Sequence, residues 1–392
     1  MYKNFNSFIP TRVQFGAGQL NNLHLQKMPG KKAMVLISNG KSTRANGSFD
    51  RTLAELSKAG IETIVFDKVE ANPLKSTVMA GAAFAKENGC DFIVALGGGS
   101  VMDASKAMAA LATNEGDVWD YIAGGTGKGK PLSADPLPLV CITTTAGTGS
   151  EVDQWGVITN DVTNEKIGFG GDDRLFPVLA IVDPELMTTV PPDFTAYQGF
   201  DALFHSTEVY ISSFRNLMGD LFAKTAIENV GKYLARAIND GNDMEARTGM
   251  AFANTLSGWA MVVSVTTAQH SMEHAMSAYH QDLPHGAGLI MISKAFSEFF
   301  IEKHACDDRF IEMARLLGME NANKPEDFIT ALVKLQEDCG VADLKMSDYG
   351  ITRKELPILA RNARETMGGL FAANPCEMTH EDCVTIFERA YK

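Results

Sequence analysis

DFIVALGGGSVMDASKAMAALA, residues 91–112, is the stretch on which the fold turns. An apolar run from Phe92 to Leu96 meets the glycines Gly97, Gly98 and Gly99 and then Ser100. Beyond them lies a stretch of helical spacing that carries Asp103 and Lys106. A strand apolar at every position is buried on both faces, as in a parallel sheet covered by helices. Glycines at the junction let the backbone approach an anion, and the helix amino terminus turns unpaired N–H groups toward it. The run is neither a complete G-x-G-x-x-G fingerprint nor a Walker A loop, so alone it fits an anion site and a tight packing turn equally well.

Upstream, KKAMVLISNG, FDRTLAELSKAG, IETIVFD and a helical stretch near residues 75–88 repeat the strand–helix alternation. Downstream, PLPLVCITTT and VLAIVDPE read as further strands, and DQWGVITN with EKIGFG reads as a hairpin excursion. After Pro191 and Pro192 the periodicity changes. The stretches 216–239, 245–280, 287–302, 308–317, 326–338, 353–366 and 379–391 carry apolar residues at helical spacing. In one of them Asn323 stands as a candidate cap, Pro325 falls in the first turn and Gly340 ends the run. The expected organisation is α/β plus all-α: a Rossmann-like α/β domain over residues 1–187 and an all-helical domain over 188–392.

The chain has 392 residues, 45% hydrophobic and 21% charged, which is the balance of a globular enzyme. A formal charge of −13 disfavours nucleic acid and acidic membrane surfaces as partners. Six scattered cysteines without C-x-x-C spacing suit reduced thiols, and no signal-like or membrane-length apolar run occurs. A cytoplasmic location is expected.

A second polar loop, TTTAGTGSE at 143–151, follows the apolar strand PLPLVCI and offers hydroxyl and backbone donors to a phosphate or ribose, or simply forms a turn. Two such turns at the ends of different strands strengthen one another as a dinucleotide site. The first strand ends in Ser38, Asn39, Gly40 and Lys41, with Arg44 close behind and no acid among them. That pattern predicts NADP(H) over NAD(H), because an acid normally receives the unphosphorylated ribose hydroxyls.

Four of the eight histidines, His270, His274, His280 and His285, lie within residues 270–285. Asp201 and His205 are four apart, as are His270 and His274, so each pair shares a helix face. Carboxylate and imidazole without thiolate suit iron(II) or zinc(II), and the pattern is not the H-E-x-x-H of metalloproteases.

FGAG, the ANP turn at Ala71–Pro73, GGGSVMDASK, TTTAGTGSE, GFDALFH and HSMEHAMSAYHQDLPHGAGL occur in an order that resembles the iron-containing alcohol dehydrogenase family, in particular its NADP-dependent butanol dehydrogenase-like branch. The resemblance implies a dehydroquinate synthase-like fold. It implies Asp201, His205, His270 and His285 as metal ligands, with iron(II) favoured and zinc(II) or another divalent ion open, and His274 as a non-ligand catalytic histidine. It also implies Gly98, Gly99, Ser100 and Asp103 at the pyrophosphate, Thr143, Thr144 and Thr148 around the cofactor, Asn72 in the nucleotide cleft and Gly40 beside the adenosine ribose. His280 falls in an interval one residue longer than in lactaldehyde reductase-like members and is at most an outer-shell group. The implied activity is hydride transfer between a nicotinamide cofactor and an alcohol or aldehyde, in a homodimer whose short strand near Gln14–Gly18 pairs across the subunit boundary. A dehydroquinate synthase-like lyase that reduces its cofactor only transiently, or a non-catalytic metal- or nucleotide-binding protein, is the competing reading.

Overall fold

A computed structural model describes residues 2–392. Six strands form one sheet: β1 (Arg12–Phe15), β2 (Lys32–Ser38), β3 (Glu62–Val69), β4 (Phe92–Gly97), β5 (Leu139–Thr143) and β8 (Leu179–Val182). Their order is β1-β8-β5-β4-β2-β3, and every pairing is parallel. All residues of β4 are buried, as its unbroken apolar run predicts. Val35, Ile37, Val94, Leu96, Val140 and Ile142 close a core with Leu20, Phe49 and Leu56 from the covering segments.

The chain steps from β2 out to β3, then returns past β2 to β4. Strand order therefore reverses between β2 and β4, the place where open parallel sheets bind ligands at their carboxyl ends. The end of β2 at Ser38–Lys41 and the glycine turn after β4 flank this reversal. β1 pairs with β8 of its own chain at the sheet edge. The expected excursion is a separate two-stranded sheet of β6 (Trp155–Asn160) and β7 (Glu165–Gly170).

One charge is built into this half. Lys106, on the Gly99–Leu111 helix, is wholly buried. Its ammonium donates at 2.7 Å to the Ser150 carbonyl, to Ser150 Oγ and to Asp153 Oδ1, and also to the Trp155 carbonyl. One helical turn away, Asp103 accepts from Ser150 Oγ at 2.8 Å and from the Val157 N–H at 3.0 Å. Burial pushes the Asp103 carboxyl up to about 6 against the pull of Lys106. Asp103 and Lys106 thus moor the loop after β5 to the helix after β4.

The chain divides into two compact units. One holds residues 9–163 and 167–189; the other holds residues 190–392 together with residues 2–8 and 164–166. The second unit is helical after Pro191. Among the described residues, no helix is long and apolar enough to cross a membrane. All six cysteines are free.

Two local expectations differ from the structure. The stretch 245–280 is two helices, Met244–Val263 and Ala268–Tyr279. Ser264 is extended at φ −148° and ψ −159°, and the β-branched run Val265–Thr267 favours that backbone. The break is fixed by Glu208, whose Oε2 accepts from both the N–H and the hydroxyl of Thr267 at 2.7 Å. Likewise Asn323 does not cap its helix. The first-turn acid Asp327 reaches back to accept from the Asn323 N–H at 2.7 Å and the Lys324 N–H at 3.1 Å.

Replacing Lys106 with Ala leaves Asp153 buried without its cation, so a loss of about 3–5 kcal/mol in stability is expected. Chemical denaturation followed by circular dichroism measures it, and a change under about 1 kcal/mol contradicts a structural role for the ammonium.

Candidate metal centre

Pro191 and Pro192 open the helix Pro192–Ile211, where proline's fixed φ suits the first turn. Asp201, His205 and Glu208 follow at i, i+4 and i+7 on one buried face. His270, Glu273 and His274 lie on the Ala268–Tyr279 helix, and His285 opens the helix His285–Glu302. A Cβ at Gly286 would overlap the Tyr197 carbonyl, so this glycine permits the approach of the His285 helix to Pro192–Ile211.

These helices converge on one oxygen. Asp201 Oδ1 lies 3.4 Å from His270 Nε2, 3.5 Å from His285 Nε2 and 3.5 Å from His205 Nδ1. The His205 and His270 rings stack at 4.3 Å. One ligand atom each from Asp201, His270 and His285 lies within 4.8 Å of the others. Three imidazole nitrogens at 3.4–3.5 Å from one buried carboxylate oxygen sit at the outer limit of hydrogen bonding. A divalent cation there would meet Asp201, His270 and His285, with His205 beside the same Asp201 oxygen, and a mix of carboxylate oxygen and imidazole nitrogens fits iron(II) or zinc(II).

The other nitrogens are held as well. Glu208 Oε1 contacts His270 Nδ1, and Glu273 Oε2 contacts His285 Nδ1. A carboxylate at Nδ1 leaves Nε2 as the donor to a metal, which is how such rings are usually oriented. Neither glutamate, nor Lys166 beside Glu273, was singled out in the sequence. Glu208 carried a usable signal, because it extends the Asp201–His205 spacing by one helical step. Lys166 carried none, since it comes from β7, far away in sequence.

Burial alone would raise the Asp201 carboxyl, but His205, His270 and His285 hold it well below the usual carboxylate range. Burial alone would lower His270, yet the Glu208 and Asp201 carboxylates push it up to about 10. His285 is raised against burial by Glu273. His274 differs: burial first, then the charges of Lys166, His285 and His270, drive it well below the ordinary imidazole value. Its ring is 5.3 Å from that of His285, and its Nδ1 stands 2.9 Å from Met367 Sδ. His280 pairs instead with Glu355 at 3.3 Å.

On the dinucleotide side, Gly98 is extended and caps the Gly99–Leu111 helix, which Ser100 continues. A Cβ at Gly98 would lie 2.8 Å from Thr145 Cγ2, and one at Gly99 would overlap Thr148, so the two polar turns pack directly on each other. Thr143 and Thr144 are buried, and the Thr144 N–H donates to the Gly97 carbonyl at 3.0 Å. Both Asp103 oxygens are engaged by Ser150 and Val157, so this side chain braces the turn. Asn72 adopts a left-handed backbone at φ +54°. Gly40 and Lys41 are exposed.

Two family models cover nearly the whole chain: iron-containing alcohol dehydrogenase over residues 10–184, and the C-terminal domain of the Fe-containing alcohol dehydrogenase family over 195–391. The 1,3-propanediol dehydrogenase of Klebsiella pneumoniae is 32% identical across all of both chains. An archaeal halo-thermophilic alcohol dehydrogenase from a Red Sea brine pool, crystallised with NZQ, superposes with a TM-score of 0.94 at 32% identity, again over all of both chains.

The comparisons overturn the expected NADP(H) preference and do not bear out an NADP-dependent branch. A Bacillus subtilis relative, 33% identical over 92% of this chain and 93% of its own, is a probable NADH-dependent butanol dehydrogenase. A Bacillus methanolicus relative, 30% identical over 98% of this chain and 99% of its own, is an NAD-dependent methanol dehydrogenase. The sulfoacetaldehyde reductase of Bifidobacterium kashiwanohense was solved with NAD+, with a TM-score of 0.85 at 29% identity over 99% of both chains. The physical reason lies in tertiary pairing. Arg44, which suggested room for a 2′-phosphate, bonds Asp67 of β3 at 2.8 Å and lies 4.3 Å from the centre of the Phe49 ring. An acid therefore does stand beside this loop, delivered by the neighbouring strand.

In metal-free protein burial disfavours a charged His270, but the Glu208 and Asp201 carboxylates outweigh it and favour the protonated ring, so a binding cation must displace that proton. Zinc(II) affinity, measured by chelator competition, is expected to rise between pH 6 and pH 8 by about tenfold per unit for each proton displaced. Affinity independent of pH contradicts the Glu208–His270–Asp201 arrangement.

Proposed function

The chain belongs to the iron-containing alcohol dehydrogenase family, and from that premise we propose that it interconverts small alcohols and their aldehydes with NAD(H) at a single divalent ion, iron(II) in the first instance. The observation that carries the reading is the convergence of three imidazoles on Asp201 Oδ1. When bound, the ion supplies a Lewis acid for the substrate oxygen and the nicotinamide supplies or accepts the hydride.

The protein's own groups hold and orient. Asp201, His205, His270 and His285 would hold the ion, and Glu208 fixes the His270 ring. Alcohol oxidation releases one proton with each hydride, and aldehyde reduction takes one up. His274 is the group suited to carry it: buried, close to His285 and held neutral by the positive charge around it. Its Nδ1 faces the Met367 sulfur, a weak acceptor, which leaves Nε2 to exchange the proton. Gly98, Gly99 and Ser100 would receive the pyrophosphate at the helix amino terminus, with Thr143, Thr144 and Thr148 in the adjoining turn and Asn72 and Gly40 flanking the nucleotide.

The test is anaerobic reconstitution of metal-free protein with iron(II) or zinc(II), followed by NADH consumption across a series of aldehydes. Reconstituted protein is expected to consume NADH stoichiometrically with aldehyde. Full activity without metal, or turnover with no net change in nicotinamide, sinks the reading. Gly99→Ala, which drives a methyl into Thr148, is expected to raise the KM for NADH about tenfold or more, the equivalent of the ~1–3 kcal/mol of overpacking. Metal content should stay at the parent level; an unchanged KM removes this turn from the nucleotide site.

A further inference from the structure

We propose that Glu273 is a positioning residue that sets which nitrogen of His285 is presented to the metal, and that Lys166 and Gly288 exist in this chain to keep it there. The inference rests on the metal site described above and concerns residues outside the ligand set. Glu273 is fully buried in the middle of the helix Ala268–Tyr279. A buried carboxylate is costly unless it is paired, and its pairing here is lopsided. Oε2 touches His285 Nδ1 and lies 3.5 Å from the Lys166 ammonium, whereas Oε1 has no hydrogen-bond partner among the described residues. All of its polar contacts pass through the oxygen that faces the ring.

Lys166 is itself buried and donates to Ser277 Oγ at 2.8 Å, one turn along the same helix. Its position answers a second question. One ligand atom each from Glu273, His274 and His285 lies within 4.8 Å of the others, close enough by distance to gather a cation of their own. The ammonium supplies positive charge at that carboxylate, so Glu273 is kept for His285. Space is reserved as well. A Cβ at Gly288 would stand 2.7 Å from Glu273 Cγ, 3.0 Å from Oε1 and 3.3 Å from Cδ, and no other residue provides its nearest atoms. The glycine in HGAGL makes room for this one side chain. With the carboxylate at Nδ1, the lone pair stays on Nε2, the nitrogen 3.5 Å from Asp201 Oδ1.

The experiment measures zinc(II) affinity of metal-free protein by competition with a chromogenic chelator, alongside the melting temperature without metal. The proteins compared are the parent, Glu273→Gln, Glu273→Ala, Gly288→Ala and the Glu273→Ala/Gly288→Ala double variant. Loss of the carboxylate is expected to weaken zinc(II) binding by 10- to 100-fold for Glu273→Ala, with Glu273→Gln intermediate because its amide oxygen still accepts from Nδ1–H. Gly288→Ala should weaken binding alone yet add nothing to Glu273→Ala, since the side chain it displaces is then gone. Parent-level affinity in both Glu273 variants, or full additivity in the double variant, overturns the proposal. A parent that binds no zinc(II) overturns the metal-site reading along with it.

Discussion

The arrangement of three imidazoles around Asp201 Oδ1 is the constraint on which the helical unit depends. Three imidazole nitrogens at 3.4–3.5 Å from one buried carboxylate oxygen would be unfavourable as a bare cluster, because the groups give up water around Asp201 Oδ1 for contacts at the outer limit of hydrogen bonding. Much of the local architecture is intelligible as support for it. The helix Pro192–Ile211 delivers Asp201, His205 and Glu208 on one face. The break at Ser264–Thr267 exists where Glu208 accepts two hydrogen bonds from Thr267 while also contacting His270. Gly286 lets the His285 helix come close enough to join.

The sheet unit solves a similar problem with a different device. Its two polar turns must lie against each other at the carboxyl ends of β4 and β5, and Thr145 and Thr148 fill the space left where Gly98 and Gly99 have no Cβ. Lys106 anchors the far end of the second turn from inside the protein, with Asp153 as counter-charge and Asp103 bracing Ser150. Both units thus place a buried charge where a loop or ligand has to be held in one geometry, and they satisfy that charge with backbone carbonyls or an opposite charge.

Legibility followed the range of the interaction. The parallel sheet was visible in the unbroken apolar run of β4, and the helical half in the spacing after Pro192. Asp201 with His205, and His270 with His274, were visible because spacing of four fixes a common helix face. The helical spacing over 245–280 gave no sign of the break at Ser264–Thr267, where an acid from another helix binds the Thr267 backbone. The NADP(H) expectation failed for a related reason: no acid follows the end of β2 in sequence, and Asp67 stands on β3, beside it in space and distant in sequence.

The sequence by itself determined the strand–helix alternation, the helical second half and which carboxylates and imidazoles share a helix face, because periodicity and turn chemistry act within a few residues. Only the tertiary structure decided how those ligands are oriented and which charges are already spoken for. Glu208 and Glu273 at the imidazole Nδ1 atoms, Lys166 arriving from β7, and Asp67 neutralising Arg44 all join elements far apart in the chain. Such pairings are set by which surfaces pack together and exclude water, and no local spacing encodes that.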